Sequence, residues 1–362
     1  MVFIKPTPEY TVIPETILPG PRHGHLSTLD PAYAEVAQAT EDALRPMWGG
    51  DVPMAEFKRG WVEAPPAIPE GCPEPGVDMI TEEIKVPVRD GTELEVRIYR
   101  PPDGVGKADG ESALCFRMHG GGWTVGSHEI EEAENRFLGA LPSCVVVSVL
   151  YRLAPEFPFP YAIEDSYDVL KWCKSNAKFL RVNPERIILL GSSAGGGMAA
   201  VLAIKARDEG FTGIVAQQLM CPVTCHPKFL DLVPNKKDYE LLSHVQNHNA
   251  GILDTVRMEF FWDCYVGSDP IPDVSHSPLL SIDLKGLPPA MVNVAGADPL
   301  RDEGIAFAEA LKAAGNQIEL HTYSGLPHSF TMFVGFKQTS QYHDHLVDFV
   351  RRHAETDENS ML

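Results

Sequence analysis

Residues 187–197 read IILLGSSAGGG. Four aliphatic residues run into a glycine, two serines, an alanine and three further glycines. A short apolar run bounded by turn formers suits a buried strand. The following residues, AAVLAIKA at 199–206, are strong helix formers. The stretch therefore predicts strand, tight turn, helix. Within it, Gly191-Ser192-Ser193-Ala194-Gly195 fits G-x-S-x-G in one frame, with Ser193 central. Such a turn strains the central backbone and needs glycine where neighbouring elements approach closely. The N-terminus of the new helix would aim its amides at an anion forming beside Ser193. Taken alone, the pentapeptide is also compatible with an ordinary glycine-rich turn.

The flanking pattern extends this reading. Short apolar runs at 113–118, 144–150, 186–190, 215–220, 290–295 and 318–323 alternate with helical stretches such as AIEDSYDVLKWCKSNA and DEGIAFAEALKAAGN. That rhythm predicts an α/β fold with a mostly parallel sheet covered by helices on both faces. Ahead of it, residues 80–102 predict two strands around Asp90-Gly91, a hairpin signal. Leu94, Val96 and Ile98 alternate with Glu93, Glu95 and Arg97, one dry face and one wet.

Two regions break the pattern. Residues 1–75 are proline-rich and predict one helix, with Asp30 as its cap, Pro31 in its first turn and Gly49-Gly50 as its stop. Its expected buried stripe is Tyr33, Val36, Thr40, Leu44 and Met47. Residues 226–285 show no clear strand and many aromatics. The expected organisation is an N-terminal cap segment over 1–75 and a catalytic domain over 76–362. A second, helical cap insertion is expected at about 226–270. Both segments would cover the C-terminal edge of the sheet, where open α/β sheets bind ligands.

Bulk properties narrow the function. The 362 residues include 44% hydrophobic ones, enough for a sizeable core. Thirty basic residues against 50 acidic ones give a net charge of −20, which disfavours nucleic-acid and anionic-lipid partners. No apolar run approaches bilayer length, so membrane insertion is not expected. The prolines of the first twenty residues do not suit a signal peptide, which points to the cytoplasm. The ending Ser360-Met361-Leu362 is a weak peroxisomal alternative. Seven scattered cysteines, an odd number without zinc-site spacing, read as buried reduced thiols. His244 and His248 stand i,i+4 but lack a third ligand pattern, so no metal is expected and both read as surface residues.

The chemistry resides in loops after predicted strands. His119-Gly120-Gly121-Gly122-Trp123 follows the strand ALCFRM. Bare amides of two of these three glycines, with that of Ala194, would form an oxyanion hole for acyl transfer. A flexible or phosphate-binding loop is the competing reading, but no phosphate-loop motif accompanies it. His119 is expected to brace this loop. A serine nucleophile needs a base, and the base an orienting carboxylate, in the chain order Ser, Asp, His. Asp298 ends the run 290–295, and His328 lies in the loop after 318–323.

HGGGW, YRLAPEFPFP, GSSAGG, DPLRDEG and PHSF, in that order, resemble the hormone-sensitive-lipase-like esterases of the α/β-hydrolase superfamily. The resemblance runs from about residue 80 onward. It implies an α/β-hydrolase fold and a serine carboxylesterase without cofactor. Ser193 would be nucleophile, His328 base and Asp298 its orienter, with Gly121, Gly122 and Ala194 donating to the oxyanion. It also implies that Arg152 and Glu156 pair structurally. The expected substrate is a small-molecule ester of short or medium acyl chain, or of a specialised metabolite; a homodimer is compatible. The family usually carries aspartate where this chain has Ser192. Trp123, Ser192 and Trp48 are expected at the substrate pocket, with Met47 beside them. Phe229, Leu230, Phe260, Phe261, Trp262 and Tyr265 read mainly as the core of the cap. A ligand-binding or lyase member of the same fold, or an amidase or lactonase, would share most of these residues.

Overall fold

The computed structural model describes residues 22–48, 52–63, 65–106 and 110–355. The C-terminal tripeptide and the Gly49-Gly50 stop lie outside the described residues. Strands β1 (Ile80–Pro87) and β2 (Glu93–Arg100) form the expected hairpin, with Gly91 at a φ of +82° in its turn. β2 pairs antiparallel with β4 (Cys144–Val149). From there β3 (Ser112–Met118), β5 (Val182–Ser192), β6 (Ile214–Met220), β7 (Ala290–Ala297) and β8 (Ile318–Pro327) run parallel. The spatial order is β1-β2-β4-β3-β5-β6-β7-β8. Each apolar run singled out in the sequence is a strand.

The sheet is dry on both sides because its strands alternate between two cores. Leu114 and Phe116 join one cluster with Met198, Leu202 and Phe307, whereas Cys115 joins the other with Leu138, Tyr342 and Leu346. The first cluster receives α6 (Ala194–Glu209) and α9 (Arg301–Ala313); the second receives α3 (Glu132–Gly139) and α10 (Lys337–Ala354). α4 (Tyr161–Ser175) and the short α5 (Ala177–Leu180) lead into β5. Because β3 and β5 to β8 are parallel, the residues after their last positions share one edge: His119, Ser193, Cys221, Asp298 and His328.

Over that edge lie α1 (Pro31–Trp48), α2 (Met54–Glu63), α7 (Ser243–Gln246) and α8 (Thr255–Val266). No strand occurs among residues 226–285. Asp30 does cap α1, its Oδ1 accepting the Ala32 amide at 2.9 Å. The buried stripe of α1 differs from the expected one: it is Tyr33, Ala37, Glu41, Leu44 and Trp48. A carboxylate is turned inward because Arg257 on α8 meets it, with Nη2 2.7 Å from Glu41 Oε2. The Ile252 amide donates to the same carboxylate at 2.6 Å. Trp48 then packs edge-on against Phe57, Phe260 and Phe261.

Candidate active site

The glycine cluster divides its work between strain and closeness. Ser193 alone within Gly191–Gly195 has a positive φ, +54° with ψ −119°. Its amide donates to Met220 O at 2.7 Å, while its carbonyl accepts from Gly197 and Val223. Three backbone bonds thus hold a conformation that an L-residue rarely adopts. The glycines serve close approach: a Cβ on Gly195 would stand 2.1 Å from Met118 O, and one on Gly191 2.1 Å from Gly195 O.

Three predicted residues meet at this turn. Ser193 Oγ lies 2.9 Å from His328 Nε2, and His328 Nδ1 lies 2.7 Å from Asp298 Oδ2. Asp298 is fully buried, and its Oδ1 accepts the Leu300 amide at 2.9 Å. With Nδ1–H donating to the carboxylate, Nε2 is the acceptor for the serine hydroxyl. Asn247, just after α7, donates to the Asp298 carbonyl at 2.9 Å, so the 226–285 segment also steadies the acid.

The loop after β3 forms the facing wall. Gly121 and Gly122 have φ values of +107° and +56°. A Cβ on Gly121 would meet Val125 O at 2.2 Å, and one on Gly122 the Phe261 ring at 2.3 Å. Among the described residues, no backbone carbonyl accepts from the amides of Gly121, Gly122 or Ala194. The His119 ring braces the loop as expected: Nδ1 donates to Gly120 O at 2.7 Å, and the ring stacks on Tyr151 at 4.2 Å. Burial pushes this imidazole down to about 4, so it stays neutral.

A cavity of about 290 Å³ opens onto Ser193, His328, Gly121 and Gly122. Trp123, Ser192 and Trp48 line it. Phe261 and Trp262 line it too, while Phe260 and Tyr265 are buried core. Met47 does not line it; its Sδ lies against α2, 3.4 Å from where a Gly60 Cβ would be. Trp123 is anchored by stacking on Tyr265, centroids 4.2 Å apart.

Two further expectations need correction. Arg152 does not pair with Glu156; the segment is not helical, so i,i+4 residues do not face each other. Arg152 instead holds Asp165 and Asp90, each at 2.6 Å, and Glu156 meets Lys58. His244 is half-buried and partners Glu303 at 3.2 Å rather than standing free at the surface, whereas His248 is exposed. Cys221, Asp298 and His328 each offer one atom within a mutual 4.8 Å, as do His23, Glu240 and Asp302. In both groups histidine and aspartate already bond one another. All seven cysteines are buried and free. The sequence reading missed Glu131, whose Oε1 accepts the Gly120 amide at 2.9 Å from inside the cavity wall. Its only sequence signal is a run of four glutamates, 129, 131, 132 and 134, close behind the glycine loop.

Comparison with known proteins matches this arrangement. The sequence pattern of the alpha/beta hydrolase fold spans residues 115–332. The chain belongs to the α/β-hydrolase family. Carboxylesterase NlhH of Mycobacterium tuberculosis is 37% identical over 246 residues, covering 67% of this chain and 72% of that protein. An arylesterase of Saccharolobus solfataricus is 32% identical, covering 72% and 79%. Among solved structures, the ester-hydrolase EH1AB1 from the Lake Arreo metagenome superposes with a TM-score of 0.78 at 31% identity, covering 91% and 100%. Vibralactone cyclase also superposes at 0.78, with 29% identity and 91% and 96% coverage. These relatives agree with the resemblance to hormone-sensitive-lipase-like esterases. Among the described residues, no helix is long and apolar enough to cross a membrane.

Proposed function

We propose that this α/β hydrolase cleaves small-molecule carboxylic esters through an acyl-enzyme on Ser193. The observation that carries the reading is the continuous relay Ser193–His328–Asp298, with bonds of 2.9 and 2.7 Å, facing a glycine loop across one cavity. His328 takes the proton of Ser193 as the oxygen attacks the carbonyl carbon. Gly121, Gly122 and Ala194 donate to the oxyanion, Asp298 stabilises the imidazolium, and the tetrahedral intermediate collapses as His328 gives its proton to the departing alkoxide, which leaves as the alcohol. Water activated by His328 then attacks the acyl carbon and frees the acid.

The N-terminal helices and the 226–285 segment act as a cap that sets acyl preference. Trp48, Phe261 and Trp262 give an apolar wall suited to short or medium acyl groups. The relay is complete within one chain, so a second copy is not required for it. Seven free thiols and the acidic surface support a cytoplasmic setting. A superposing cyclase keeps lactones in view as substrates. The test is hydrolysis of p-nitrophenyl acetate, butyrate and octanoate beside Ser193→Ala. Turnover abolished by the substitution supports the reading; turnover that survives it, or a folded chain inert to esters and lactones alike, overturns it.

A further inference from the structure

We propose that Glu131 is a positioning residue for this reaction, its carboxyl holding the oxyanion loop against the serine turn. The inference rests on the assignment of Gly121 and Gly122 as oxyanion donors. Glu131 lies just before α3 and is 2% exposed. Its Oε1 accepts the Gly120 amide at 2.9 Å, and the Ser192 hydroxyl faces the same carboxyl. A Cβ on Gly120 would stand 3.3 Å from Glu131 Oε1, 3.3 Å from Ser192 O and 3.6 Å from Ser193 Cβ. The loop after β3, the turn after β5 and this carboxyl therefore meet at one point. Gly120 immediately precedes the two donors, so fixing its amide fixes the direction in which theirs point.

The setting favours the uncharged acid. Among the described residues, no arginine, lysine or histidine nitrogen lies within ion-pair distance of Glu131. The groups that face it are Arg117 from β3, Glu134 from α3, Tyr151 from the loop after β4 and Tyr342 from α10. Arg117 is the one cation of this set, and its Nε donates to Asn135 Oδ1. Glu134 opposes ionisation. Burial outweighs Arg117 and the hydrogen bonds from Gly120 and Ser192, which favour the carboxylate, and pushes the Glu131 carboxyl up to about 8. The neutral acid can still accept from Gly120, as an amide oxygen would. The carboxylate would place a negative charge beside donors meant for a developing oxyanion, which weakens the transition state more than the ground state. Ionisation of Glu131 thus lowers kcat as pH rises.

The test follows kcat and KM for p-nitrophenyl butyrate from pH 6 to 10 in wild type, Glu131→Gln and Glu131→Ala. Rates of phosphonylation by a fluorophosphonate are measured over the same range. Wild type should lose activity with a midpoint near pH 8. Glu131→Gln should hold kcat at pH 7 within about threefold and lose the alkaline decline. Glu131→Ala should lower kcat about tenfold or more with KM little changed. An alkaline decline that persists in Glu131→Gln, or full kcat in Glu131→Ala, overturns the proposal. Should the alanine variant misfold, the glutamine profile decides alone. Absence of ester turnover in wild type would count against the functional reading, and the phosphonylation profiles would still decide the role of Glu131.

Discussion

The Nε2 atom of His328 lies 2.9 Å from the Oγ of Ser193, although 135 residues separate them in the chain. Parallel strands create this meeting. β5 ends at Ser192 and β8 at Pro327, and both leave the sheet on the same edge. The serine turn is rigid by its three backbone bonds, and the ring is fixed by Asp298, so the hydrogen bond requires no reorganisation before proton transfer.

Asp298→Asn should preserve the fold and its bond from the Leu300 amide, yet lower kcat by about 10⁴-fold, because an amide no longer fixes the imidazole tautomer. His328→Ala should cost a similar factor. Both are read from steady-state kinetics beside circular dichroism. A loss below tenfold for either substitution would remove that residue from the relay.

Gly122→Ala tests the oxyanion loop. The added methyl would enter the Phe261 ring, so the loop must shift. The expectation is a fall in kcat of about 10²–10³-fold with a smaller change in KM. Pairing it with Phe261→Ala should restore part of kcat, since the ring atoms that crowd the new methyl are then gone and only the residue-261 Cβ, at 2.8 Å, remains close. Phe261→Ala alone should raise kcat/KM for octanoate relative to acetate several-fold by opening the cavity wall.

Glu41→Ala leaves Arg257 buried without its main counter-ion. The expected loss of stability is about 3–5 kcal/mol in chemical denaturation. Replacing both partners, Glu41→Leu with Arg257→Met, should cost less than the single change. A double variant less stable than Glu41→Ala would show that the pair contributes beyond neutralising a buried charge.

Stability against pH separates two kinds of buried group. His119 and His226 bind protons near 4 when folded but near 6.5 when unfolded, burial being the main cause. Between those values the unfolded chain holds more protons, so stability falls as pH drops from about 7 toward 4. Glu131 acts in the opposite sense: folded near 8 and unfolded near 4.5, it loses stability as pH rises through that window. Glu131→Gln should therefore gain over wild type on going from pH 5 to pH 8, by on the order of 3 kcal/mol. A Tm difference that stays constant between those pH values would contradict the buried neutral acid.

Much of this was legible from the sequence because it follows from local signals. Strands read from apolar runs, and the relay read from residues placed just after them. What escaped depends on tertiary partners. The stripe of α1 was misread at two positions, Ala37 and Glu41, and at its end, Trp48, because an inward glutamate makes sense only beside Arg257. The resemblance implies an Arg152–Glu156 pair, whereas the partners of Arg152, Asp165 and Asp90, come from α4 and the β1–β2 turn. Glu131 escapes a sequence reading because a glutamate after a loop reads as solvated, and its burial comes from distant partners, Arg117 of β3, Tyr151 and Tyr342 of α10.

The central claim is that Ser193 is a nucleophile driven by His328. Treating the folded protein with a fluorophosphonate and mapping the adduct by peptide mass spectrometry tests it most directly. The account predicts one phosphonyl group per chain, on Ser193, with labelling strongly slowed in His328→Ala. A label on Ser192, or no label on a folded chain, would contradict it.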